Sequence, residues 1–280
     1  MEADEVRDAP NMLKNALGAT LAALAAACVA FSAQGQPAMV HKTAFDGSGP
    51  ATTHAYSEAR CTIFRPIELK PGRHVIIWGN GTGTMPVNYA VMLHQLASYG
   101  FVVAAANTPT AGSGQDMLGC LDWLTAENSR EGSIYKGMLD LSKVGATGHS
   151  QGANGALMAG RDPRITATAP VMPALRDPAA VVAAQHSPML LLSGTADATA
   201  PFMERQKPVF DLTPLPVVWL NLRDADHFVP MRDSGPYRPA VTAWFLYQLE
   251  GDPAAAAMFT GPACGYCTDS DWIVQRKSVS

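Results

Sequence analysis

Apolar residues in this chain come in short unbroken runs, separated by stretches in which they recur at helical spacing. Residues 74–78, 101–106, 189–193 and 217–222 are almost free of polar interruption. A strand covered on both faces reads that way. Residues 61–65 alternate like a strand, and Pro66 ends it. Residues 165–169 form another short run, closed by Pro170. Between these runs, residues 87–99 place Val91, Met92, Leu96 and Tyr99 on one helical face before Gly100 stops them. Residues 113–127 do the same with Met117, Leu118, Leu121 and Leu124. Residues 201–210 read as a short helix, and 239–249 as an amphipathic one rich in aromatics. Residues 34–58 are rich in Gly, Pro, Ser and Thr, which suits loops and a first edge strand. Residues 217–222 read as the last strand. The alternation predicts an α/β chain with a mostly parallel central sheet and helices on both faces, joined by right-handed crossovers. No repeat and no long linker divides it.

Composition narrows the class. With 48% apolar and 16% charged residues in 280, the chain has the means for one large core. Its formal charge of −4 and lack of a basic stripe exclude nucleic acid as the expected partner. Residues 16–33 are uncharged and rich in Ala and Leu, with Lys14 before them and Ala33 and Gly35 suited to cleavage before Gln36. Residues 1–35 therefore read as a signal peptide, and 36–280 as a single domain. The acidic start (Glu2, Asp4, Glu5, Asp8) is unusual for a signal, and Met12 offers an alternative start. A membrane anchor is the competing reading, disfavoured by the alanine bias and by Gly18, Thr20 and Ser32. Cys28 leaves a lipoprotein as a minor option. The expected location is secreted or periplasmic, without stable membrane association after signal removal, and a monomer is expected.

Without Cys28, four cysteines remain: Cys61, Cys120, Cys264 and Cys267. An even number in an exported chain suggests disulfides, with three pairings available. The expected set is Cys264–Cys267 as a small local loop and Cys61–Cys120 as a long-range staple. A redox or zinc site is the alternative for Cys264 and Cys267, but no second C-x-x-C or histidine pair completes a zinc set. No metal and no cofactor is expected.

The chemistry centres on Lys143 to Gly152, an apolar strand running into Gly148-His149-Ser150-Gln151-Gly152 and then into a slim helix. This G-x-S-x-G context predicts a nucleophile elbow carrying Ser150. A serine needs a base, and the base needs an orienting acid. On a parallel sheet these should follow strand ends. Asp197 follows residues 189–193 and His227 follows 217–222, giving the order Ser, acid, His. Asp224 and Asp226 compete with Asp197 as the acid. His149 is expected to line the pocket, and His186 lies before its strand, at the wrong end. The oxyanion donors are expected from the backbone of Gln151 and of Gly81, in Gly79-Asn80-Gly81-Thr82-Gly83. That glycine run also resembles a dinucleotide loop. However, no Asp, Glu, Lys or Arg stands between Arg73 and Asp116 to hold a ribose.

These residues resemble the polyester hydrolase and cutinase-like branch of the α/β-hydrolases, and chlorophyllase-like and dienelactone-hydrolase-like relatives share much of the pattern. The likeness runs from about Arg60 to Leu249. It includes Gln95 to Val103, the elbow, Ala169-Pro170, Asp197 with Ala200-Pro201, and His227-Phe228. It implies an α/β-hydrolase fold without a large lid domain, and a serine esterase acting through an acyl-enzyme on a neutral ester. Met172 and Phe228 join His149 as expected substrate contacts. Such polyester hydrolases usually carry an aromatic in the oxyanion loop, a Met after the serine and a Trp after the Ala-Pro pair. Here Gly81, Gln151 and Ala174 stand near those places. An acyltransferase or amidase on the same residues, or a hydrolase-fold binding protein without catalysis, are the alternatives.

Overall fold

A computed structural model describes residues 45–58 and 60–279, which belong to one compact unit. The expected leader, residues 1–35, lies outside the described residues. Nine strands form one sheet in the order β1-β2-β4-β3-β5-β6-β7-β8-β9. They are β1 (Thr53–Ser57), β2 (Cys61–Pro66), β3 (Arg73–Gly79), β4 (Val102–Ala106), β5 (Leu139–His149), β6 (Ile165–Val171), β7 (Met189–Gly194), β8 (Val217–Leu222) and β9 (Trp272–Lys277). Strands β3 to β8 pair in parallel, while β1, β2 and β9 run antiparallel at the two edges.

The helices are α1 (Ala90–Ser98), α2 (Gln115–Ser129), α3 (Gln151–Ala159), α4 (Ala179–Ala183), α5 (Phe202–Leu212), α6 (Tyr237–Phe245) and α7 (Pro253–Ala256). Alternation along the strands decides what each covers. On β3, Ile76 and Trp78 face α1 and α6, packing with Met92, Leu96, Val241 and Trp244. Val75 and Ile77 face the other way, onto Met117, Leu121 and Leu124 of α2 and Ala156 of α3. Further along that face, Leu191 and Trp219 meet Val209 and Phe210 of α5. The expected mostly parallel sheet with helices on both faces is the architecture observed. Among the described residues no helix is long and apolar enough to cross a membrane.

Three details differ from the reading of the sequence. β8 is not the last strand: β9 pairs antiparallel along its whole length, from Val217↔Lys277 to Leu222↔Trp272. Its Gln275, Arg276 and Lys277 disguise it, because an edge strand carries charge where a central one cannot. The predicted helix at 87–99 is a 3-10 turn, Pro86–Tyr89, followed by α1. The predicted helix at 239–249 starts two residues earlier and ends in a π turn, Leu246–Glu250.

Two disulfides are formed. Cys61–Cys120 ties β2 to α2 across a sequence separation of 59, and Cys264–Cys267 closes a separation of 3 just before β9.

Candidate active site

The carboxyl ends of β3, β5, β6, β7 and β8 lie along one rim, because these neighbours are parallel and in register. At the end of β5 the chain turns sharply into α3, and Ser150 occupies the turn with φ 55° and ψ −117°. A side chain held there carries about 1–3 kcal/mol of backbone strain. Close packing imposes the turn. A Cβ on Gly152 would lie 2.0 Å from the Gly79 carbonyl oxygen, so only glycine lets α3 approach β3. The Ser150 N–H is fixed to the Val171 carbonyl at 2.9 Å.

Ser150 Oγ lies 2.8 Å from His227 Nε2. The other ring nitrogen, Nδ1, lies 2.7 Å from Asp197 Oδ2. The second Asp197 oxygen, Oδ1, accepts the N–H groups of Thr199 at 2.9 Å and Ala200 at 2.7 Å. Both Asp197 and His227 are buried. Residues 47 and 77 positions apart from Ser150 in sequence are thus joined in one hydrogen-bonded chain. The rival acids are turned elsewhere. Asp226 accepts the Phe228 N–H at 2.8 Å and pairs with Arg232 at 3.2 Å. The Phe228 N–H, with help from Arg232, holds its carboxyl below the usual range. Asp224 is exposed at a left-handed turn, its N–H bonded to Thr195 Oγ1.

The surrounding residues divide. Gln151 opens α3, where a backbone N–H has no acceptor within the helix, and its N–H is hydrogen-bonded to no partner among the described residues. Gly81 does not fit the role expected of it. Its N–H is donated to Tyr89 Oη at 3.0 Å. The next N–H, of exposed Thr82, has no partner among the described residues and takes its place as candidate donor. The loop is rooted by Asn80, whose Nδ2 donates to the carbonyls of Ala106 at 2.6 Å and Thr108 at 3.0 Å.

Met172 also departs from its expected role. It is fully buried and its N–H bonds the Leu192 carbonyl, so it is a core residue beneath the site and cannot touch substrate. His149 is 1% exposed and does not line an open wall. Its ring lies 4.8 Å from that of His227 and its Nδ1 is 3.0 Å from Tyr89 Oη. Burial, reinforced by the neighbouring His227, lowers its pKa to about 3, so it stays neutral. Phe228 is half-exposed beside His227, with ring centroids 5.7 Å apart, and is the one expected contact that reaches the surface. Ala174, where a Trp is usual, is held by its N–H on Asn154 Oδ1 at 2.8 Å. The reading of the sequence missed Tyr89 and Thr82. Tyr89 lay inside a helical pattern, and its polar tip gave no periodic signal.

Residues 31–262 match the family described as PET hydrolase-like. The chain belongs to this family. The chain is 26% identical over 200 residues to a bis(hydroxyethyl) terephthalate hydrolase of Streptomyces coelicolor. That match covers 68% of this chain and 62% of the relative, so the chain spans under two thirds of the relative's length. The mostly parallel sheet with helices on both faces is that of an α/β-hydrolase.

Proposed function

We propose that the protein is an exported serine carboxylic ester hydrolase that works through an acyl-enzyme. The observation that carries this reading is the continuous chain Ser150 Oγ–His227 Nε2 and His227 Nδ1–Asp197 Oδ2, at 2.8 and 2.7 Å. In the proposed cycle His227 Nε2 takes the Ser150 proton as Oγ adds to the ester carbonyl. Asp197 holds the ring proton on Nδ1 and stabilises the imidazolium. The oxyanion is met by the N–H groups of Gln151 and Thr82. His227 then gives its proton to the leaving alcohol oxygen as the C–O bond breaks. Water repeats the sequence on the acyl-enzyme, releasing the acid and restoring Ser150.

The substrate class follows from the rim and from the family. Between Arg73 and Asp116 the chain carries no Asp, Glu, Lys or Arg. Phe228, Met85 and Val87 offer exposed apolar surface on the loops after His227 and after the oxyanion loop. A neutral ester suits this better than an anion. The relative's activity on bis(hydroxyethyl) terephthalate supports small hydroxyalkyl esters of aromatic acids as the first substrates to try. The two disulfides support export to an oxidising compartment.

Hydrolysis of p-nitrophenyl butyrate and of bis(hydroxyethyl) terephthalate by the wild type and by Ser150→Ala tests the reading. Loss of the nucleophile should cost about a million-fold in turnover. Equal rates, or a wild type that neither hydrolyses esters nor reacts with a fluorophosphonate, would leave a binding protein on a hydrolase fold.

A further inference from the structure

Tyr89 sits at the centre of a hydrogen-bond cluster that the proposed cycle does not use. Its ring is 1% exposed and packs on Trp78, with centroids 5.0 Å apart. Its Oη accepts the Gly81 N–H at 3.0 Å and lies 3.2 Å from Thr84 Oγ1 and 3.0 Å from His149 Nδ1. Thr84 Oγ1 in turn donates to the Gly81 carbonyl at 2.7 Å. One phenol oxygen thus binds Gly81 of the oxyanion loop to His149, the residue before the nucleophile. The bond holds with the proton on either nitrogen of His149. Tyr89 Oη accepts it from Nδ1–H and donates to Thr84, or gives its own proton to Nδ1. Burial raises the Tyr89 pKa, so the hydroxyl keeps its proton throughout the working range.

Gly81 shows how close the fit is. A Cβ there would stand 2.7 Å from Tyr89 Oη and 3.2 Å from His149 Nδ1. Thr82, whose N–H is the candidate donor to the oxyanion, is exposed, and that N–H has no partner among the described residues. Its direction is set by its neighbours: Gly81 on one side, held by Tyr89, and Gly83 on the other, whose N–H bonds the Pro109 carbonyl at 3.0 Å.

We infer that Tyr89 is a positioning residue: its hydroxyl locks the Gly81–Thr84 turn against His149, so that the Thr82 N–H is aimed at the developing oxyanion. The inference rests on the ester-hydrolase reading. The preorganised donor acts mainly in the transition state, so the lock should govern kcat more than KM. A misplacement of about 1 Å costs up to about a hundredfold, so Tyr89→Phe should lower kcat per active site roughly ten- to a hundredfold with KM nearly unchanged.

The experiment compares wild type, Tyr89→Phe and Ser150→Ala on p-nitrophenyl butyrate, with active sites counted by fluorophosphonate titration. It also measures inhibition by phenylboronic acid, which forms a tetrahedral adduct on an activated serine. The expected result is a kcat-selective loss in Tyr89→Phe, with phenylboronic acid affinity weakened by a similar factor. Gly81→Ala, which leaves the tyrosine in place but crowds its hydroxyl, should show the same selective loss and serves should Tyr89→Phe fold poorly. An active wild type with Tyr89→Phe within twofold of it in kcat per titrated site would overturn the inference and leave ester hydrolysis standing. Fewer titratable sites with unchanged kcat would also overturn it, showing a stability role alone. A wild type inert to both ester and probe would instead remove the ester-hydrolase reading itself.

Discussion

Replacing Asp197 by Asn tests the base assignment at the level of one proton. The substitution keeps the size of the side chain and changes one oxygen to NH₂. Two backbone donors, Thr199 and Ala200, point at Asp197 Oδ1 from 2.9 and 2.7 Å. The amide oxygen must stay there, because turning NH₂ toward them would set donor against donor in a buried site. The NH₂ group is therefore directed at His227 Nδ1, now 2.7 Å from Oδ2. Nδ1 becomes the acceptor and the ring proton moves to Nε2, where it cannot take the Ser150 proton. Flipping the amide back would forfeit one buried and one part-buried N–H···O bond, each costing up to about 1–3 kcal/mol when left unmade. The sum, about 2–6 kcal/mol, corresponds to a loss of roughly thirtyfold to 25,000-fold in kcat. Steady-state hydrolysis of p-nitrophenyl butyrate gives kcat, and thermal unfolding shows whether the fold is kept. A folded Asp197→Asn variant within threefold of wild type would refute the tautomer reasoning.

Other predictions follow from the same structure. His149 is held at about 3, against an ordinary 6.5, by burial and by His227. Between those values the unfolded chain binds a proton that the native state refuses, so stability should fall as pH falls from about 6.5. The slope should reach about 1.4 kcal/mol per pH unit at most. Urea unfolding of wild type and His149→Leu between about pH 6.5 and 4.5 should show stability falling more steeply in the wild type, by up to this slope, and parallel curves would count against it. Removing the Cys61–Cys120 bridge, with its separation of 59, should cost about 4 kcal/mol in the chain-entropy account. That lowers Tm by roughly 10 °C, readable by scanning calorimetry, and an unchanged Tm would contradict the staple. Gly152→Ala, whose Cβ would meet the Gly79 oxygen at 2.0 Å, should push α3 off β3 and abolish phosphonate labelling. Full labelling of that variant would contradict the packing account.

Strands buried on both faces were plain in the sequence because they permit no polar residue: residues 74–78 and 217–222 fall within β3 and on β8. The G-x-S-x-G context brought Ser150 forward, and the strand-end rule then brought Asp197 and His227, since the carboxyl ends of parallel neighbours share a rim. What the sequence hid is what depends on atoms meeting at a distance. β9 was masked by charges that an edge strand tolerates. Met172, expected as a substrate contact, stands at a left-handed turn, φ 51°, and is fully buried in the core. Gly81 was chosen for its small size. The space that its missing side chain leaves is filled by the Tyr89 hydroxyl, eight residues on, and no local pattern announces that contact.

The central claim is that Ser150 becomes acylated during turnover. Rapid mixing with p-nitrophenyl acetate at low pH, acid quenching and mass spectrometry of the digested protein measure this directly. The account predicts a burst of p-nitrophenol and one acetyl group on the peptide containing Ser150, absent from Ser150→Ala. Hydrolysis with no acyl group on that peptide, or with one on another residue, would contradict it.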